Sequence, residues 1–346
     1  MEIIHLRSRK ETYLPWRTSQ DISSLPLPRF IVIRLGKRLI KVVVWNPYLG
    51  QTRCIECRYS HRTINRGWDR FCYALGYEAK NSCRNLKFLR FIDIYNGEQE
   101  NEFDWYEIYD FDSGSWKTLD VTPNWLSLFG SRGVSFKGNT YWLASERNSE
   151  DYDDHIICFD FTREMFGPLL RLPFDAGNRD YVNLSCVREE KLAVSVRHRQ
   201  TRETDIWITT KIEAEEVLWS KFLTVDTENH LLTSERFFIE EETKLVMGLE
   251  LNGRRETFKI IGVEAGYFTE FDFGNGVHRD YRAHACSYVP SLMQIKQPPA
   301  GRKWKHQSDS EKLRYDQNKS RLVSLEKRAE EEMRNPVDFL SHCLRL

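Results

Sequence analysis

The sequence has no excess charge of either sign: 51 lysines and arginines are matched by 51 aspartates and glutamates over 346 residues. A surface built to track phosphates is therefore not expected, which argues against nucleic-acid and anionic-membrane partners. Long apolar runs are missing too. No stretch approaches the roughly 18 residues that cross a bilayer, and the opening Met-Glu-Ile-Ile-His-Leu-Arg-Ser-Arg-Lys lacks the apolar centre of a signal peptide. A cytoplasmic or nuclear protein is expected. The 18 glycines and 11 prolines are too few for a low-complexity chain. Eight cysteines, scattered at positions 54, 57, 72, 83, 158, 186, 286 and 343, read as reduced thiols and not as a disulfide framework.

The common signatures of catalysis are missing as well. The chain contains no Gly-x-x-x-x-Gly-Lys-Ser/Thr, Gly-x-Gly-x-x-Gly, Gly-x-Ser-x-Gly or His-Glu-x-x-His. Cys54-Ile-Glu-Cys57, with His61 nearby, has the spacing of half a zinc site. A structural zinc needs about four ligands, and no second Cys-x-x-Cys or His-x-x-x-His supplies them, so Cys54, Cys57 and His61 are expected to be ordinary residues. Asp151-Tyr-Asp-Asp154 offers oxygen ligands but lacks the glycine and distal glutamate of a calcium loop, and is expected to be a solvated tip. No catalytic, cofactor, metal or substrate-binding residue is singled out. The expectation is a chain without enzyme activity or cofactor.

Aromatic residues are what the chain does have: 10 tryptophans, 15 tyrosines and 20 phenylalanines, side chains that suit the pleated, half-buried surfaces of sheets. They recur in a fixed grammar. Tyr106 to Trp116, His155 to Phe166, Asp205 to Trp219 and Thr257 to Phe268 each read as an apolar strand, a polar turn and a second strand containing an aromatic. With Ile108, Ile157, Ile206 and Lys259 as equivalent positions, the steps are 49, 49 and 53 residues, a period of kelch type. The similar segment Val44 to Gly50 lies one longer step upstream. Between these hairpins, Phe71–Tyr77 with Leu86–Phe91, Gly133–Ala144, Leu184–Val196 and Glu235–Glu250 read as further strand pairs, making four strands per repeat. The expected fold is all-β: a kelch-like β-propeller of five recognisable repeats, or six blades, whose aromatics pack the core and the joints between blades.

Several of these segments resemble one family. Val42-Val-Val-Trp-Asn-Pro-Tyr-Leu-Gly-Gln-Thr-Arg53, Tyr73-Ala-Leu-Gly-Tyr77, Gly138-Asn-Thr-Tyr-Trp-Leu-Ala144, Cys158-Phe-Asp-Phe-Thr-Arg-Glu-Met-Phe-Gly-Pro168 with Leu172-Pro-Phe174, Trp207-Ile-Thr-Thr-Lys211, Trp219-Ser-Lys-Phe222 and Cys286-Ser-Tyr-Val-Pro-Ser-Leu292 resemble the F-box-associated interaction domain of plants, in the family's order. The resemblance implies a propeller whose loops hold a target protein. It also implies a Skp-type adaptor and a cullin recruited through a preceding F-box, so that the target is ubiquitinated. Only 44 residues precede Trp45, and the run Phe30 to Val44 is β-branched without a helical period. Leu25-Pro-Leu-Pro28 is a faint trace of an F-box start, but no F-box is read here, which puts adaptor recruitment in doubt. The first repeat also lacks its inner hairpin, so either Pro15 to Leu35 replaces it or the ring is incomplete.

The expected organisation is an atypical N-terminal segment at 1–35, a propeller-like interaction domain at 36–297 and a charged, helical tail at 298–346. Cys286 to Ile295 is expected to complete a blade through Tyr288, Val289, Leu292 and Ile295. Leu322, Leu325, Ala329 and Met333 fall near helical spacing, and Pro336 is placed to open a last short helix with Val337, Leu340 and Leu344. The tail is expected to stand mostly in solvent. The leading functional reading is a substrate-recognition module related to ubiquitin-ligase receptors. Two alternatives stay open: a stand-alone or degenerate scaffold without ligase recruitment, and a carbohydrate- or small-molecule-binding propeller.

Overall fold

The computed structural model describes residues 29–35, 39–59, 71–80, 83–94, 102–127, 133–147, 155–174, 181–188, 190–198, 201, 203–226, 237–252, 255–262, 267–275, 291–297 and 308–334. They form five antiparallel sheets and one helix. The first sheet holds β1 (Arg29–Leu35), β2 (Leu39–Asn46) and β3 (Gln51–Glu56). The second runs β4 (Cys72–Lys80), β5 (Cys83–Ile94), β6 (Phe103–Asp110) and β7 (Ser115–Leu119), in chain order. In the third, β8 (Trp125–Ser127) and β9 (Val134–Phe136) pair with β10 (Asn139–Glu146). Its neighbour β11 (His155–Asp160) pairs with β12 (Met165–Phe166) and β13 (Leu170–Arg171). The fourth is β14 (Tyr181–Val187), β15 (Lys191–Arg197), β16 (Glu203–Ile212) and β17 (Val217–Asp226). The fifth is β18 (Phe237–Glu240), β19 (Leu245–Asn252), β20 (Arg255–Gly262) and β21 (Tyr267–Asn275). The helix α1 spans Asp309–Arg334. The expected hairpins are therefore present, and each repeat read from the sequence is one sheet.

The described elements divide into two compact units, with the division inside β11. One unit holds β1 to β10, the rest of β11 from Ile157, β12, and the chain from Ser291 onward. Its second sheet is buried on both faces, and β6 is buried along almost all its length although it carries Asp104, Glu107 and Asp110. On one face Leu75, Tyr77, Leu86, Phe88, Tyr109 and Trp116 meet Val42, Val44 and Ile55 of the first sheet. On the other, Leu89, Phe91, Tyr106 and Ile108 meet Trp125, Trp142, Ile157 and Phe159 of the third. Phe91 stacks on Tyr106 at 5.2 Å between ring centroids, and Phe166 packs 4.7 Å from Trp125. In the other unit, Val187, Ala193, Ile206 and Leu223 of the fourth sheet share a core with Phe237, Ile239, Val246 and Ile261 of the fifth.

Turn chemistry explains where the hairpins close. Lys137 and Gly138, at φ 48° and 85°, form the two-residue turn between β9 and β10, in which both central residues are left-handed. Three other hairpins share a four-residue loop. Asn46, Asp110 and Asp160 open these loops, each Oδ1 accepting a hydrogen bond from a backbone N–H two or three residues on: Tyr48 at 3.0 Å, Ser113 at 2.6 Å and Thr162 at 2.8 Å. Gly50, Gly114 and Glu164 close them at φ 64°, 68° and 55°. Glu164 adopts this conformation without being glycine, and its carboxylate bonds to Lys87 and Lys117, each at 2.7 Å.

Three expectations change. The missing inner hairpin of the first repeat is partly supplied by β1, the later third of the Pro15 to Leu35 stretch; residues 15–28, and Leu25-Pro-Leu-Pro28 with them, lie outside the described residues. In the closing segment Leu292 is exposed, while Met293 and Ile295 enter the core, because an extended chain turns alternate side chains to opposite faces. Tyr288 and Val289 lie outside the described residues. The tail helix is exposed along most of its surface, as expected, but it docks one face. Leu322 of α1 is fully buried with Phe71, Ile92, Phe103 and Trp105, and Tyr315 and Leu325 pack beside it. Pro336, Val337, Leu340 and Leu344 lie outside the described residues.

Candidate interaction surface

Strand direction sorts the connections within a sheet into two ends. In the second sheet, the turn after β4 and the turn after β6 leave from one end, and the β5–β6 connection (95–102) leaves from the other. The connection that enters β4 after β3 (57–71) shares that second end. The first end is pinned. Arg53, from the run beginning at Val42, is buried beneath the Asp110 loop and donates to the carbonyl oxygen of Phe111 at 2.7 Å and the hydroxyl of Tyr109 at 3.0 Å. It also donates to the Lys296 carbonyl at 2.6 Å, and its guanidinium lies 4.9 Å from the Phe111 ring centroid. Lys296 in turn reaches Asp112 at 2.8 Å.

The next loop is held in the same manner. Asn139 Oδ1 accepts from the Phe161 N–H at 3.2 Å, and Lys87 donates to the Phe161 carbonyl at 3.3 Å. A Cβ on Gly76 would sit 2.0 Å from the Phe161 ring, and one on Gly138 2.5 Å from the Tyr77 ring, while the Tyr77 N–H bonds to the Gly138 carbonyl at 3.0 Å. Three of the segments on which the resemblance rests thus meet at one joint between the second and third sheets. Their glycines are required by close approach.

The second end of the same unit stands on a charged base. Asp93 and Asp104 face each other across β5 and β6. Arg147 donates to Asp93 at 2.9 Å and to the Trp125 carbonyl at 3.1 Å, with Glu102 at 3.8 Å. Burial pushes the Asp93 carboxyl up to about 6, with Asp104 adding to the rise, even though Arg147 opposes it. Burial raises Asp104 as well, and raises the phenol of Tyr106 beside them. Nothing in the sequence marked this cluster, because Asp93, Asp104 and Arg147 come from three strands or their ends. The β5–β6 connection at this end leaves beside a base held by half-buried ion pairs.

The residues considered for chemistry are not assembled. Cys54 and Cys57 lie three positions apart at the end of an extended strand, and Cys54 is exposed while Cys57 is in the core. The pair therefore faces opposite sides, and His61 lies outside the described residues. Asp151 to Asp154 also lie outside them. Among the described residues no helix is long and apolar enough to cross a membrane.

The motif that opens at Val42, the Gly76–Gly138–Phe161 joint and the five repeated sheets are matched as a set by one family description, the F-box associated beta propeller domain, over residues 31–295. The chain belongs to this family. Its five described sheets correspond to blades of a kelch-like β-propeller, with a helical tail. Among similar proteins from Arabidopsis thaliana, an F-box/kelch-repeat protein is 53% identical over 300 residues, covering 84% of this chain and 72% of the relative. An F-box protein is 53% identical over 295 residues, covering 83% and 68%. A putative F-box/kelch-repeat protein is 51% identical over 298 residues, covering 83% and 70%. The family of this domain is that of a protein-interaction module within F-box proteins of plants. In this chain Gly76, Gly138 and Phe161 of those motifs form a joint, and Arg53 a clamp.

Proposed function

We propose that the chain recognises a target protein for ubiquitination, holding it on the connections that leave the sheets opposite the pinned hairpin loops. The module is assigned to residues 36–297, with β1 (Arg29–Leu35) as a further strand of its first sheet, and performs no catalysis. The observation that supports this most directly is the asymmetry of the second sheet. At one end the β6–β7 loop is tied down by Arg53, and the neighbouring Phe161 loop of the third sheet by Lys87 and Asn139; at the other, the 8-residue β5–β6 connection leaves beside the Asp93–Arg147 base and a 15-residue connection enters β4. In the other unit, connections of 9 and 10 residues enter β14 and β18. Sequence can change freely in such connections while the frame is kept, so a family can share a fold and differ in target.

Recruitment of a Skp-type adaptor and cullin is a property implied for family members through an F-box. The described residues before Trp45 form β1 and most of β2, and among them no helix offers an adaptor surface. Target recognition is therefore assigned to this chain, and ligase recruitment is not assigned to its described residues. Proximity labelling in plant cells tests the reading. The intact chain and a chain with residues 95–101 replaced by a Gly/Ser segment of equal length are compared for labelled targets and Skp-type adaptors. Loss of a specific set of targets in the exchanged chain is expected. Identical sets, with the exchanged chain folded, would remove the β5–β6 connection from the binding surface.

A further inference from the structure

Helix α1 lies beyond the matched residues 31–295, yet it covers a groove made wholly from residues within them. Along one face of α1, Glu311, Tyr315, Asn318, Leu322 and Leu325 are buried or half-buried, at steps of four, three, four and three, while neighbours such as Lys312, Leu313 and Arg314 are exposed. Leu322 enters the pocket of Phe71, Ile92, Phe103 and Trp105. The Tyr315 ring packs 5.6 Å from Trp105 and 4.7 Å from the Arg58 guanidinium, and its hydroxyl donates to the Arg58 carbonyl at 3.0 Å.

The upper end of the groove selects for negative charge. Arg90 and Glu107 are fully buried there, with Arg58 bonded to Glu107 and Arg90 3.8 Å from it. Arg58, Arg90 and Glu107 thus meet at this end of the groove. Glu311 of α1 supplies the second carboxylate, accepting from Arg58 at 3.1 Å, from the Thr118 hydroxyl at 2.8 Å and from the Thr118 backbone N–H at 2.9 Å. That N–H belongs to β7, which is the edge strand of the second sheet among the described residues, so the helix also caps part of that edge. The N-terminus of α1 is shaped for this contact. Ser308 Oγ accepts from the Glu311 N–H at 3.3 Å, as an N-cap does, but the Glu311 side chain turns outward to the groove instead of back onto the cap.

We infer that this groove is a helix-binding site of the family domain, occupied here by the chain's own appended helix, and that it accepts a partner helix of the same pattern. Such a helix carries an acid in its first turn, an aromatic four residues later, and leucines eleven and fourteen residues after the acid. An acid is favoured at this position because one carboxylate accepts at once from the Arg58 guanidinium, the Thr118 hydroxyl and the Thr118 backbone N–H. The groove takes Arg58 and Phe71 from the two ends of the 57–71 connection, but none of its residues lies in the 95–101 segment exchanged in the target test, so failure of that test leaves the helix test standing.

The test uses the full chain and a fluorescent peptide copying residues 308–334. The peptide should bind a full chain carrying Tyr315→Ala and Leu322→Ala at least tenfold more tightly than the unmodified chain, whose own helix blocks the groove. A peptide with Glu311→Gln should bind that variant at least tenfold more weakly. Hydrogen exchange provides a second readout without substitution: amides of α1 should exchange at least tenfold faster than those of β5 and β6. The inference is overturned if the peptide does not distinguish the two chains or if the Glu311→Gln peptide binds equally well. It is also overturned if helix and sheet exchange in one step, or if the double variant loses its sheets, since α1 would then be an inseparable part of the core.

Discussion

Asn46 donates from its side-chain amide to the carbonyl oxygen of Ser291 at 2.9 Å, across 245 residues of chain. The second amide hydrogen bond goes to the Met293 carbonyl at 2.8 Å, and the same side chain's oxygen accepts the N–H groups of Tyr48 and Leu49. One fully buried side chain therefore shapes the β2–β3 loop and fastens the closing segment to it. The Gln51 side chain adds a bond to the Ile295 N–H at 2.8 Å.

Replacing Asn46 should show how much this clamp contributes. Asn46→Ala removes two buried hydrogen bonds to carbonyl oxygens, so a loss of about 2–4 kcal/mol is expected in denaturant melts. Asn46→Asp keeps the loop's acceptor but sets a carboxylate against those carbonyls, and should cost at least as much. If Asn46→Asp were as stable as the native chain, the Asx turn alone would explain the residue.

Two glycines separate crowding from backbone conformation. A Cβ on Gly76 would collide with Phe161 and with the Gly138 carbonyl at 2.5 Å, whereas one on Gly50, at φ 64°, meets nothing within 4 Å. Gly50→Ala should cost about 1–2 kcal/mol, the strain of a left-handed residue. Gly76→Ala forces atoms apart in a packed joint and should cost about 1–3 kcal/mol or more, with altered Tyr77 and Phe161 signals in NMR. Unchanged aromatic signals in Gly76→Ala would contradict the joint described here.

Asp93 should leave a signature in pH dependence. With its carboxyl raised to about 6 in the folded chain, the folded state keeps a proton that the unfolded chain releases between about pH 4 and 6. Folding then binds protons in that window, and the contribution of Asp93 to stability grows as pH falls from 6 to 4. The stability difference between the native chain and Asp93→Asn should therefore shift toward the native chain on acidification, by on the order of 1–3 kcal/mol. A difference independent of pH would show that Arg147 holds the carboxyl near its ordinary value.

At the fourth and fifth sheets, equivalent charged turns face each other. Arg188 pairs with Glu240 and, at 3.2 Å, with Glu242, while Lys191 reaches Glu241 at 2.6 Å. These groups are well solvated, so Arg188→Ala should cost under about 1 kcal/mol and the cost should vanish in 1 M salt. A salt-independent loss above about 2 kcal/mol would show a packing role for the arginine stem instead.

The sequence by itself determined the strands, the repeat and the family. Alternating apolar positions and turn residues specify hairpins locally, and a period near 50 residues places equivalent hairpins in equivalent sheets. It also showed that Gly138 belongs to a turn, because its neighbours alternate on either side. What Asn46, Arg53 and Gly76 do was not legible, since their partners Ser291, Phe111 and Phe161 lie tens to hundreds of residues away and only folded sheets bring them together. The Asp93–Arg147 base was hidden for the same reason. The tail shows the limit most plainly. Its charge and sparse leucines suggested a solvated helix, yet Leu322 is buried. The groove that receives it, with the Arg58 and Thr118 donors that hold Glu311, exists only once β4 to β7 have assembled, so the burial of that helix is a property of the tertiary structure and not of its own composition.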